Sequence, residues 1–166
     1  MSENEQGPHI IVVDGQDGLR WLYQHWLESD GYRVRVTADR TDLEGMLADC
    51  EPDLILLDLH LRGLEGIRIC QAIKADPRWA PIPIIGTSHE AGGLAGQLAH
   101  NAGADNLLVK PFSRIELELG VEGLLGRGGG TGINDHRADT RVTEAASGTG
   151  GDPLPILTPQ LEDGTC

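Results

Sequence analysis

Five short apolar runs, each followed by apolar residues at helical spacing, constrain the fold more than any other feature of the chain. IIVV (10–13) and LILL (54–57) are apolar throughout. YRVRV (32–36) alternates, with Arg33 and Arg35 on the face opposite Tyr32, Val34 and Val36. PIPII (81–85) and LLV (107–109) complete the set. After the first run, Leu19, Leu22, Tyr23, Trp26 and Leu27 recur at i, i+3, i+4, i+7 and i+8, one face of a helix that Gly31 ends. Leu43, Met46, Leu47 and Cys50 form the next stripe, and Ile67, Cys70 and Ile73 the third. Leu94, Leu98 and Ala102 mark a fourth helix, weakened by Gly92, Gly93 and Gly96. Leu117, Val121, Leu124 and Leu125 mark a fifth.

Strands separated by helices imply repeated right-handed βαβ crossovers and a parallel sheet. Strands 1 and 3, apolar on both faces, belong in the centre. Strand 2 carries arginines on one face, which suits an edge. An α/β doubly wound, flavodoxin-like sheet of order 2-1-3-4-5, with helices on both faces, satisfies these demands. Ligands of such sheets bind beyond the carboxyl ends of the strands, beside strand 1.

The chain has 166 residues and a net charge of −13, with a pI near 4.7. That balance argues against a nucleic-acid-binding surface within this chain and favours basic partners or cations. Cys50, Cys70 and Cys166 show no C-x-x-C pattern; they read as two core residues and a terminal one in a reducing compartment. MSENEQGPH has neither a basic n-region nor an apolar h-region, and no stretch reaches 18 apolar residues, so a cytoplasmic, membrane-free protein is expected. The folded domain is expected over residues 8–127. From residue 128 to 166 the chain is rich in Gly, Ser and Thr without a sustained period, the composition of a disordered tail. PLPILTPQLED within it reads as a docking peptide, the start of a further domain, or simply an unstructured end.

The predicted strand ends bring chemistry together. Strand 1 ends in Asp14, strand 3 in Asp58, strand 4 in Gly86-Thr87-Ser88 and strand 5 in Lys110-Pro111. Two carboxylates about 4 Å apart repel by roughly 4 kcal/mol at an effective dielectric of about 20. A divalent cation relieves that, and Mg²⁺ takes one or two carboxylates plus waters or phosphate oxygens. A carboxylate can also act as a nucleophile and become an aspartyl-phosphate, while a flanking hydroxyl and ammonium hold phosphoryl oxygens. Positioning and charge would do most of such a phosphoryl transfer.

IIVVDGQDGLR, PDLILLDLHLRGLEG, PIPIIGTS and AGADNLLVKPF together resemble the receiver domain of two-component response regulators, over about residues 8 to 127. The resemblance implies that Asp58 is the phospho-accepting aspartate and that Asp14 is one member of an acidic pair organising Mg²⁺. It makes Thr87 the hydroxyl residue that turns toward the phosphoryl group, Lys110 the lysine that pairs with it, and Pro111 a cis proline. The His60 backbone carbonyl would complete the metal donors. A sensor histidine kinase or phosphotransfer protein would supply the phosphoryl group. Three positions depart from the family pattern. Gly15 stands where the second acid, a direct metal ligand, is expected; its loss predicts weakened Mg²⁺ binding, with Asp17 either a partial substitute or the cap of the first helix. Leu107 replaces the aromatic that swings during switching. Arg62 replaces the proline of an L-P-G turn, while Gly63 is retained. His60 and His89 would flank the site, either tuning the phosphoryl lifetime or idle at the surface.

The expected function is a phosphorelay switch acting through protein contacts. Its output partner is unidentified, and a homodimer through the helix 4–strand 5–helix 5 face is one route. It would not be an enzyme beyond intrinsic phosphoacceptance and autodephosphorylation. The alternative is a degenerate receiver that binds partners without phosphorylation. A flavodoxin-like cofactor binder is disfavoured because DGQDG is too short and acidic for a phosphate loop. Trp21 and Trp79 are expected as surface or partner contacts and Trp26 in the core.

Overall fold

Each apolar run becomes a strand and each stripe a helix, in strict alternation. The computed structural model describes residues 7–90 and 92–126. Its elements are β1 (His9–Val13), α1 (Asp17–Ser29), β2 (Arg33–Thr37), α2 (Arg40–Asp49), β3 (Leu54–Asp58), α3 (Glu65–Ala75), β4 (Ile84–Ser88), α4 (Leu94–Ala102), β5 (Asn106–Val109) and α5 (Arg114–Leu125). All paired strands are parallel, in the order β2-β1-β3-β4-β5. This is the doubly wound sheet that strand composition predicts.

Alternate residues of the two central strands feed two cores, because successive side chains of a strand point to opposite faces. Ile11, Val13, Ile55 and Leu57 pack with α2, α3 and α4. Ile10, Val12, Leu54 and Leu56 pack with α1 and α5. Both central strands are buried along their whole length. The edge strands are half-buried over most of theirs. Arg33 and Arg35 of β2 reach polar partners at the rim, the Gly7 carbonyl and the Asp49 carboxylate, each at 2.9 Å.

Several expectations shift. The fourth strand starts at Ile84, not at Pro81. Pro81 and Pro83 have no N–H to give a ladder; Pro83 serves only through its carbonyl, which accepts the Ile55 N–H at 3.0 Å. The Gly-Thr-Ser run forms the last three residues of β4, the strand end the sequence predicts. On α4 the buried residues are Ala95, Ala99 and Ala102, while Leu94 is 69% exposed and Leu98 only partly buried. The Cys70 Sγ lies 3.5 Å from the Ala102 carbonyl oxygen, so α3 and α4 approach closely and alanines fill the seam. Cys70 is buried as expected, and burial pushes its thiol up to about 11; Cys50 is only half-buried. Trp21 is exposed and stacks on His25. Trp79, expected at the surface, packs half-buried against the α2–α3 side with the Arg78 guanidinium over its ring. Trp26 is likewise partly buried. The tail from 128 to 166, with Cys166, lies outside the described residues.

Candidate functional site

Strand register assembles the site. Val13 pairs with Leu57, Asp58 with Thr87, and Ser88 with Val109. The next residues, Asp14 and Lys110, therefore join Asp58 and Thr87 at one edge of the sheet. All four are buried: Asp14 is 1% exposed, Asp58 6%, Thr87 1% and Lys110 7%.

The Lys110 ammonium sits between the two carboxylates, 2.7 Å from Asp14 Oδ2 and 3.2 Å from Asp58 Oδ2. Charges this buried persist only when paired and hydrogen-bonded. The second oxygen of each acid is tied to its own loop. The Gln16 N–H donates to Asp14 Oδ1 at 2.8 Å, and the His60 N–H donates to Asp58 Oδ1 at 2.9 Å. The Lys110–Pro111 peptide is cis. Thr87 Oγ1 is buried with no hydrogen-bond partner, a cost that marks a group waiting for one.

Neighbouring loops hold this arrangement. The Arg20 Nη1 donates to the Asp14 carbonyl at 2.6 Å, and its Nη2 pairs with Asp17. Asp17 is thus not the cap of α1. Gln16 holds that position without a side-chain bond, because the Asp14 carboxylate already closes the turn through the Gln16 N–H. Nor does Asp17 replace the acid missing at Gly15, since its carboxylate is 94% exposed. After β3, Arg62 (φ 41°) and Gly63 (φ 84°) turn the chain in the left-handed region. Helix α3 then returns so close that a Cβ on Gly66 would lie 2.0 Å from the Asp58 carbonyl oxygen. Glycine is the residue that such an approach admits.

Two groups near the site escaped sequence reasoning. Ser88 is fully buried and its Oγ lies 2.9 Å from His60 Nε2; the only signal in the chain was its place in the Gly-Thr-Ser run. His60 is accordingly half-buried rather than idle at the surface, whereas His89 is exposed, with ring centroids 6.2 Å apart. Tyr23 stacks on Phe112 with centroids 4.9 Å apart. Burial, with the charges of Asp14 and Asp58 adding, pushes its phenol well above the usual range, so it stays protonated. Leu107 is half-buried and packs on the core beneath α4.

The donor set suits a hard cation. Asp14 and Asp58 offer carboxylate oxygens that each keep lone pairs after accepting their bonds, and the His60 carbonyl lies on the same loop. Gly15 adds no carboxylate, and among the described residues no three His, Cys, Asp or Glu side chains group to hold a metal. Such a set fits Mg²⁺ that draws the rest of its shell from water and phosphoryl oxygens.

Comparison with known proteins gives the family. The family described as the response regulator receiver domain matches residues 10–122. The transcriptional regulatory protein CseB of Streptomyces coelicolor is 33% identical over 137 residues, 82% of this chain and 57% of its own length. The phosphate regulon transcriptional regulatory protein PhoB of Rhizobium meliloti is 34% identical, over 72% of this chain and 53% of its own. The chain thus spans about half the length of the curated relatives it matches. Among solved structures, the receiver domain of the sensor histidine kinase PA1611 from Pseudomonas aeruginosa carries a magnesium ion coordinated in its active-site cleft. It superposes with a TM-score of 0.67 at 28% identity, over 72% of this chain and 98% of that one. The chain belongs to the response regulator receiver domain family.

Proposed function

We propose that this chain is a phospho-accepting switch of a two-component phosphorelay, with Asp58 as the acceptor. The observation that carries the reading is the buried triad in which one ammonium bridges Asp14 and Asp58. An Asp58 carboxylate oxygen attacks the phosphorus of a phosphohistidine on a sensor kinase or phosphotransfer protein. The new O–P bond forms as the P–N bond breaks, and its electron pair returns to the imidazole nitrogen. Lys110 is placed to follow the added negative charge, and the unpartnered Thr87 hydroxyl gains a phosphoryl oxygen as its acceptor. Asp14, Asp58 and the His60 carbonyl would hold Mg²⁺, which when bound offsets charge on the transferring group. With one acid fewer, at Gly15, that binding is weakened.

Output passes through protein contacts on the face of α4, β5 and α5, including self-association there, rather than through nucleic acid. The protein works in the cytoplasm; among the described residues no helix is long and apolar enough to cross a membrane. The test is intact mass after incubation with acetyl phosphate and Mg²⁺. One phosphoryl increment is expected, absent in Asp58→Asn; an unmodified wild-type chain would overturn the reading. Gly15 favours a second reading, a receiver that binds its partner without phosphorylation. Partner binding that is unchanged in Asp58→Asn would support it.

A further inference from the structure

We propose that the His60 side chain and the Ser88 hydroxyl form a latch that holds the carboxyl end of β4, and Thr87 with it, in a resting position. The proposal rests on the phospho-acceptor reading of Asp58 given above. His60 touches both ends of the device. Its main-chain N–H donates to Asp58 Oδ1 at 2.9 Å, and its Nε2 lies 2.9 Å from Ser88 Oγ. Ser88 Oγ also accepts the Glu90 N–H at 3.1 Å. The main chain of the same strand end is tied on both sides: the Leu59 N–H donates to the Thr87 carbonyl at 3.0 Å and the Lys110 N–H to the Ser88 carbonyl at 2.7 Å.

Between these ties Thr87 Oγ1 is buried and unpartnered. A hydroxyl left unsatisfied favours any movement that finds it an acceptor, so something must hold it back. The one side-chain tie from the acceptor loop to its strand end, among the described residues, is the His60–Ser88 bond. The imidazole also has room to leave. His60 and Ser88 line a cavity of about 160 Å³ between α3 and α4, together with Leu64, Ile67, Leu94 and Ala95. Phosphorylation changes the carboxylate that holds the His60 N–H. The loop then loosens, the imidazole withdraws from Ser88, and Thr87 moves to a phosphoryl oxygen. His60 and Ser88 are therefore positioning residues.

The test is a beryllofluoride titration with Mg²⁺, followed by NMR, of wild type, His60→Ala, Ser88→Ala and the double variant. Losing one ordinary hydrogen bond from the resting state should tighten apparent beryllofluoride binding by roughly three- to tenfold. The double variant should bind no tighter than the better single variant, and His60→Gln should fall between wild type and His60→Ala. Ser88→Ala also removes the acceptor of the Glu90 N–H, which is why non-additivity carries the assignment. Unchanged, weakened or additive affinities overturn the latch. If neither wild type nor any variant binds beryllofluoride, the phospho-acceptor reading falls, and amide exchange of the ligand-free proteins decides the latch. Faster exchange at Leu59 and Lys110 in each single variant, and no faster in the double, supports it; unchanged exchange overturns it.

Discussion

A Cβ on Gly15 would meet only Leu61 Cδ1, at 3.5 Å, which is ordinary van der Waals contact. The backbone there has no positive φ, so the position admits a side chain. Gly15→Asp is therefore expected to fold as the wild type does and to restore a second carboxylate after β1. Mg²⁺ affinity should rise on the order of tenfold, since carboxylate count sets the affinity of such sites. Isothermal titration with Mg²⁺ checks this, and an unchanged affinity would show that the added acid does not reach the ion. Lys110 presents the opposite case. Removing its ammonium leaves Asp14 and Asp58 buried and facing each other, and breaking a buried ion pair typically costs about 3–5 kcal/mol. Lys110→Met should lose stability of that order in urea unfolding at neutral pH. Adding Asp14→Asn should recover part of the loss, because it removes one of the stranded charges.

Two glycines in helices show how differently elements bear on the site. In α3, a Cβ at Gly66 would fall 2.0 Å from the Asp58 carbonyl oxygen and 2.6 Å from Leu59 Cα, both backbone atoms that cannot yield cheaply. Gly66→Ala should displace the helix from the acceptor loop. A cost of about 1–3 kcal/mol and loss of the Asp58 mass increment are expected. In α2, a Cβ at Gly45 would meet nothing within 4 Å, so Gly45→Ala should raise the unfolding free energy by about 0.5–1 kcal/mol. Thermal melts of the two variants should therefore move in opposite directions. Element identity and strand order were legible because burial on both faces leaves continuous apolar runs, as in Ile10–Val13 and Leu54–Leu57. The convergence of Asp14, Asp58, Thr87 and Lys110 followed from that order. Less visible was anything set by contact between elements. The buried face of α4 is alanine because α3 lies close, and the start of β4 is delayed by prolines that themselves look strand-like. Asp17 was freed from capping by a carboxylate three residues earlier. The His60–Ser88 bond joins residues 28 apart, and no local pattern announces it.

For the molecule as a whole, acid sensitivity has an identifiable contributor at the opposite edge of the sheet. His9 is buried at the start of β1 with Nε2 unpartnered. Burial first, then the charges of Arg33 and Arg35, hold its pKa below the ordinary 6.5. The folded protein thus keeps His9 neutral where the unfolded chain would take up a proton. Its contribution is whole above the unfolded value and is lost as pH falls through the folded one. Urea midpoints should drop between about pH 7.5 and about pH 5.5, and the drop should be smaller in His9→Phe. An equal slope in the variant would assign the effect elsewhere. The pairing of Asp14 with Lys110 has a different consequence. These residues are 96 positions apart, and the lysine follows β5, the last strand among the described residues. A nascent polypeptide that stalls on the ribosome before residue 110 has made both acids but not their counter-ion. Such a fragment holds two inward-facing acids with no ammonium between them, so the charge balance of the pocket is complete only once β5 and the residue after it have docked.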